Sequence, residues 1–95
     1  NTIKSLKIDN NTVSINKDSC DFQLTATHFI EWCVTGLSSH ILTLKISTTT
    51  FQSQDNCVNA TYKLNSSENT SINLSISYQE QEGCKRTELK TCFLD

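Results

Sequence analysis

Five cysteines (Cys20, Cys33, Cys57, Cys84 and Cys92) and two histidines (His28 and His40) are the groups in this 95-residue chain best suited to covalent, redox or metal chemistry. A zinc site built from Cys20, His28, Cys33 and His40 would leave seven, four and six residues between successive ligands, which matches no usual finger spacing. Cysteine–histidine catalysis needs a thiol of lowered pKa, and no residue pattern marks one. Gly-rich phosphate loops, Gly-x-Ser-x-Gly and clustered carboxylate pairs are absent from the sequence, and Glu80 and Glu82 read as a solvated turn. Both histidines are expected in exposed loops. The expectation is therefore a protein that is not an enzyme and has neither metal nor cofactor.

Asparagine carries a different chemistry. Five Asn-x-Ser/Thr acceptor tripeptides occur, beginning at Asn10, Asn59, Asn65, Asn69 and Asn73. With nine Asn and 25 Ser plus Thr, roughly two or three matches would arise by chance. Four packed into residues 59–75 exceed that expectation. They point to N-linked glycans, which are bulky, solubilising and confined to the surface. Five cysteines in a short chain point the same way, to an oxidising compartment and disulfide staples.

Composition bounds the rest. Ninety-five residues make one domain, residues 1–95. A net charge of −2 leaves no basic footprint for nucleic acid or anionic membrane. No apolar run is long enough to span a bilayer, and no signal peptide stands at Asn1, so the chain reads as a mature or trimmed ectodomain. The apolar share, 36%, is low for a globular domain, so covalent staples are expected to supplement a small core.

The elements that must position these residues alternate with period two. Leu6 and Ile8, then Val13 and Ile15, alternate with polar neighbours on either side of Asn10-Asn11. Cys20, Phe22, Leu24 and Ala26 share one face, and so do Ile30, Trp32 and Val34. Leu42, Leu44 and Ile46 form another set, as do Val58, Ala60, Tyr62 and Leu64, and Ile72, Leu74, Ile76 and Tyr78. Asn59 and Asn73 fall on outward faces, while Asn10, Asn65 and Asn69 fall in turns. Six or seven short strands predict an all-β sandwich. A helix over residues 79–90 is the competing local reading, opposed by Gly83 and Thr87. Trp32, flanked by Ile30 and Val34, is expected in the core.

Cys20 precedes Trp32 by twelve residues, and Trp32 begins a Trp-x-x-x-Gly stretch ending at Gly36. This resembles the immunoglobulin superfamily, in which a strand-B cysteine precedes a strand-C tryptophan that packs on an inter-sheet disulfide. The resemblance implies an Ig-like β-sandwich of about seven antiparallel strands, with Cys84 or Cys92 as the strand-F partner of Cys20. Cys84 is preferred, because Cys92 would leave only Phe93-Leu94-Asp95 for a closing strand. The Asp-x-Gly-x-Tyr-x-Cys signature of the family is replaced here by Glu80-Gln81-Glu82-Gly83-Cys84. Cys33 and Cys57 point away from their apolar faces, and a bond between them would staple neighbouring strands. Cys92 is then unpaired or uncertain. A Cys84–Cys92 bond, a sixth cysteine outside the chain, or an intermolecular bond remain open.

These readings predict an extracellular glycoprotein module that recognises another protein, either secreted or as the ectodomain of a cell-surface or viral glycoprotein. A secreted ligand or decoy that blocks a receptor, or a structural piece of an envelope or adhesion assembly, are the alternatives. With four acceptors in residues 59–75, contact is expected from residues 20–50 and 79–92.

Overall fold

Alternation of apolar and polar residues builds strands throughout the computed structural model, which describes residues 2–23, 27–37, 39–64, 71–80 and 83–94. Among these residues nine strands follow in order: β1 (Ile3–Ile8), β2 (Asn11–Val13), β3 (Ser19–Phe22), β4 (Thr27–Thr35), β5 (His40–Ile46), β6 (Thr49–Ser53), β7 (Cys57–Lys63), β8 (Ser71–Glu80) and β9 (Arg86–Leu94). The described residues contain no helix, so the helical reading of residues 79–90 gives way to β8 and β9. The number of strands also exceeds the seven expected. The extra count includes β6, whose only large apolar residue is Phe51.

The strands form two sheets. One has the order β2-β1-β4-β7 and the other β3-β9-β8-β5-β6. All pairs are antiparallel except β3 with β9, which run parallel. Two tight turns need positive φ without glycine. Asp9 (φ 51°) and Asn10 (φ 68°) join β1 to β2, with Ile8 opposite Asn11. Both central residues being left-handed is the hairpin geometry that Asn and Asp tolerate best. Ser47 (φ 56°) opens the β5–β6 turn and donates its N–H to the Asn73 carbonyl at 2.8 Å.

The inward faces meet in one core. Leu6, Ile8, Ile30, Trp32, Val34, Val58 and Ala60 come from the first sheet. Phe22, Leu42, Leu44, Ile46, Ile72, Leu74, Ile76 and Tyr78 come from the second. Each large aliphatic side chain buried this way contributes roughly 1.5–3 kcal/mol. Trp32 is 1% exposed, and its Nε1–H donates to the Ser77 carbonyl on β8 at 3.0 Å. It therefore joins the two sheets through a hydrogen bond as well as by packing.

The cysteine framework differs from the expected one. Cys20 pairs with Cys92, its register partner in the parallel β3–β9 pair, with Cα atoms 4.3 Å apart. Cys84, the expected partner, is exposed and free in the β8–β9 connection. The closing strand expected after Cys84 does form, as β9. In the fold Cys92 is part of that strand: β9 runs through it, and the bond forms sideways to β3. Cys33 bonds to Cys57, its direct partner across β4 and β7, with Cα atoms 4.1 Å apart. Both disulfides thus lie within a sheet, and Cys20 and Trp32 lie in different sheets.

Candidate functional site

Three groups of residues hold the chemistry that the sequence can offer: a buried histidine–aspartate pair, a buried lysine, and the surface that carries the glycan acceptors. The histidines are not in exposed loops. His28 opens β4 in phase with Ile30, Trp32 and Val34 and is fully buried. Its ring stacks on Phe22, centroids 4.7 Å apart at 18°. Its Nδ1–H donates to Asp9 Oδ2 at 2.7 Å, and Asp9 Oδ1 accepts the Phe29 N–H at 2.9 Å. Burial pushes the Asp9 carboxyl up, but the His28 hydrogen bond, the Phe29 N–H and the His28 charge outweigh it and hold it below 3.8. His28 Nε2 is buried without a partner among the described residues. This pair locks the Asp9–Asn10 turn onto β4, and its placement is that of a structural clasp.

His40 is also buried, and its Nε2–H donates to the Asp55 carbonyl at 2.9 Å, tying the start of β5 to the β6–β7 connection. The remaining members of the imagined zinc set, Cys20 and Cys33, sit in separate disulfides. Glu31, Cys33 and Cys57 cluster on the first sheet, but both sulfurs are committed to the disulfide and cannot serve as thiolate ligands.

Lys90 is the residue that sequence reasoning passed over. It faces inward on β9, two residues before Cys92, and is 3% exposed. Its Nζ donates to the carbonyls of Ser14 and Ile15, each at 2.9 Å, and to that of Lys17. Those carbonyls belong to the segment that leaves β2 in one sheet and enters β3 in the other. Desolvation lowers the Lys90 pKa from 10.5, opposed by the charges of Glu88 and Asp18. The signal that could have revealed it was its phase with Cys92.

The acceptor asparagines divide the surface. Asn10, Asn59 and Asn73 are all exposed. Asn65 and Asn69 lie outside the described residues, as do Leu24, Ala26 and Glu82. Asn59 stands on the outer face of the first sheet, level with Glu31 and Lys7. Asn73 stands on the outer face of the second, level with Thr91. Asn10 lies at the pole formed by the β1–β2 and β5–β6 turns. The strand ends Thr35, His40, Ser53, Cys57, Glu80 and Arg86 gather at the opposite pole, held by the His40–Asp55 bond and by Val34 N–H donating to the Asn56 carbonyl at 2.8 Å. No acceptor tripeptide begins in the three connections of that pole, and free Cys84 lies in one of them.

Among the described residues, five large apolar side chains remain exposed: Ile3, Phe29, Ile41, Leu89 and Phe93. Ile3 and Ile41 lie toward the acceptor-free pole, opposite Thr35 and Gln79 respectively. Phe29, Leu89 and Phe93 lie beside acceptor asparagines. The fold thus defines an all-β, disulfide-bonded domain of two sheets. No protein-family model matches the chain, and no curated protein or solved structure matches it either.

Proposed function

We propose that this chain is an extracellular, N-glycosylated, Ig-like module that recognises another protein through its acceptor-free pole. The observation that carries the reading is the distribution of acceptors: the outer face of each sheet holds one, and the three connections at one pole hold none. A glycan on each flat face is bulky enough to hinder protein contact there, which leaves that pole open to a protein partner. Ile3 and Ile41 supply apolar contact at its rim, and Lys85 and Arg86 supply charge. Two disulfides support an oxidising compartment.

The Ig-like assignment is supported by strand order. Immunoglobulin domains place strands A, B, E and D in one sheet and G, F and C in the other, with C′ and C″ added in variable-type domains. Here β1, β4 and β7 follow A, B and E, with no strand among the described residues in the place of D, and β9, β8, β5 and β6 follow G, F, C and C′. On that correspondence Trp32 stands on the strand-B equivalent, and neither disulfide occupies the inter-sheet position of the family. The stapling is then of a different kind, within sheets.

Glycan wedging tests the recognition surface. Lys85→Asn completes an acceptor tripeptide with Arg86 and Thr87 at the acceptor-free pole. Thr48→Asn completes one with Thr49 and Thr50 at the opposite pole. Each variant is secreted as a multivalent fusion and scored for staining of a panel of cell types. Loss of staining with Lys85→Asn and retention with Thr48→Asn supports the reading. The reverse result, or contact mapped around Asn65 and Asn69, overturns it.

A further inference from the structure

Phe29 is 62% exposed on the outer face of β4, near the end of the strand that meets the Asp9–Asn10 turn. Phe29 lies directly opposite Thr61, and Asn59 lies two residues from Thr61 on the same strand face. Diagonal neighbours of this kind are about 7 Å apart at Cα, within reach of a long substituent. Phe29, Asn59, Thr61, Lys7 and Glu31 line one shallow groove, which Asn10 also borders. Asn59 and Thr61 are the acceptor and the hydroxyl residue of one tripeptide, and alternation places both outward.

We infer that Phe29 is the seat of the N-glycan carried by Asn59, and that this groove is a carbohydrate platform built into the first sheet. The inference rests on the reading of the chain as a secreted glycoprotein. Attachment transfers a glycosyl group from a lipid-linked pyrophosphate donor. The Asn59 Nδ2–C1 bond forms, the C1–O bond to pyrophosphate breaks, and Nδ2 loses one proton as the lipid pyrophosphate leaves. The first N-acetylglucosamine then lies over the ring. Its axial C–H groups meet the negative π face, and its hydroxyl and acetamide groups meet Glu31 and Lys7 at the groove wall. The same pattern recurs on the second sheet. Asn73 is level with Thr91, and the exposed Leu89 and Phe93 flank Thr91 two residues to either side. Three of the five large apolar side chains exposed among the described residues therefore border an acceptor asparagine.

The test is a double-mutant cycle on protein secreted from eukaryotic cells: wild type, Phe29→Thr, Asn59→Gln and the double variant. Threonine keeps the strand preference and removes the ring. Site occupancy is read by mass and the unfolding constant by urea titration. Phe29→Thr is expected to raise the unfolding constant roughly three- to ten-fold more with the Asn59 glycan present than in the Asn59→Gln background, the magnitude of aromatic stacking. Equal effects in both backgrounds with Asn59 occupied overturn the inference and leave the glycoprotein reading intact. Coupling of Phe29 to Asn10→Gln instead overturns the assignment to Asn59. An empty Asn59 beside occupied acceptors also overturns it, whereas no glycan at any acceptor overturns the glycoprotein reading itself.

Discussion

Replacing Lys90 with methionine keeps the stem in the core and removes the ammonium that holds three carbonyls. Those carbonyls, of Ser14, Ile15 and Lys17, belong to the only segment by which the chain passes from the β2 edge of one sheet to β3 in the other. A hydrogen bond from a charged donor contributes about 1.5–3 kcal/mol net. Three would sum to more, but two terms oppose the sum. The ammonium is held in a site that disfavours its charge, as its lowered pKa records. Ser14 and Lys17 are exposed, so their carbonyls can be rehydrated. A net loss of about 2–3 kcal/mol remains. For a domain of this size that lowers Tm by roughly 10–20 °C. Urea unfolding of Lys90→Met against an exposed control, Lys45→Met, measures it. Hydrogen exchange adds a local readout, because Thr91 N–H donates to the Asp18 carbonyl at 2.8 Å beside the clasp. That amide should exchange faster in Lys90→Met than in Lys45→Met. A Lys90→Met protein within about 0.5 kcal/mol of wild type, with the Thr91 amide still protected, would refute the reasoning.

Asp9→Asn keeps a residue that tolerates the left-handed turn and removes the charge facing His28, so it should cost about 1 kcal/mol at neutral pH. Because the folded pKa of Asp9 lies below 3.8, its pairing adds stability that is fully present above pH 3.8 and lost as pH falls through the folded value. The gap between Asp9→Asn and wild type in urea titrations should therefore close in acid, and a gap independent of pH would refute the pairing. Removing the Cys20–Cys92 bond, which spans 72 residues, should cost about 4.4 kcal/mol by loop closure, against about 3.4 kcal/mol for the 24-residue Cys33–Cys57 span. Paired Cys→Ser variants compared by urea titration test that ranking. Cys84 should be the one cysteine alkylated under native conditions, and Cys84→Ser should leave stability within about 0.5 kcal/mol of wild type.

Much of the fold was legible because six of the strands, β1, β3, β4, β5, β7 and β8, bury an apolar face and leave the other wet. The alternating sets around Leu6, Trp32, Leu44, Val58 and Leu74 all lie inside, and Asn59 and Asn73 lie outside. Where the pattern inverts, legibility fails. In β9 the apolar Leu89 and Phe93 point outward while Lys90 and Cys92 point inward, so hydrophobicity reads the strand with the wrong face. That inversion concealed both the lysine clasp and the Cys20–Cys92 bond. Parallel pairing of β3 with β9 joins residues more than 70 positions apart and leaves no local trace. His28 was legible in principle, two residues before Ile30 on the same face, but a polar type at a core position reads as the end of a strand. The Asp9 carboxylate that satisfies it is 19 residues away in sequence.

The most direct measurement is a non-reducing peptide mass map of the protein secreted from eukaryotic cells, read for linked cysteines and for occupied asparagines together. The expected map has peptides joining Cys20 to Cys92 and Cys33 to Cys57, a free Cys84, and glycans on Asn59 and Asn73. A Cys20–Cys84 link, or a secreted protein bare at every acceptor, would contradict it.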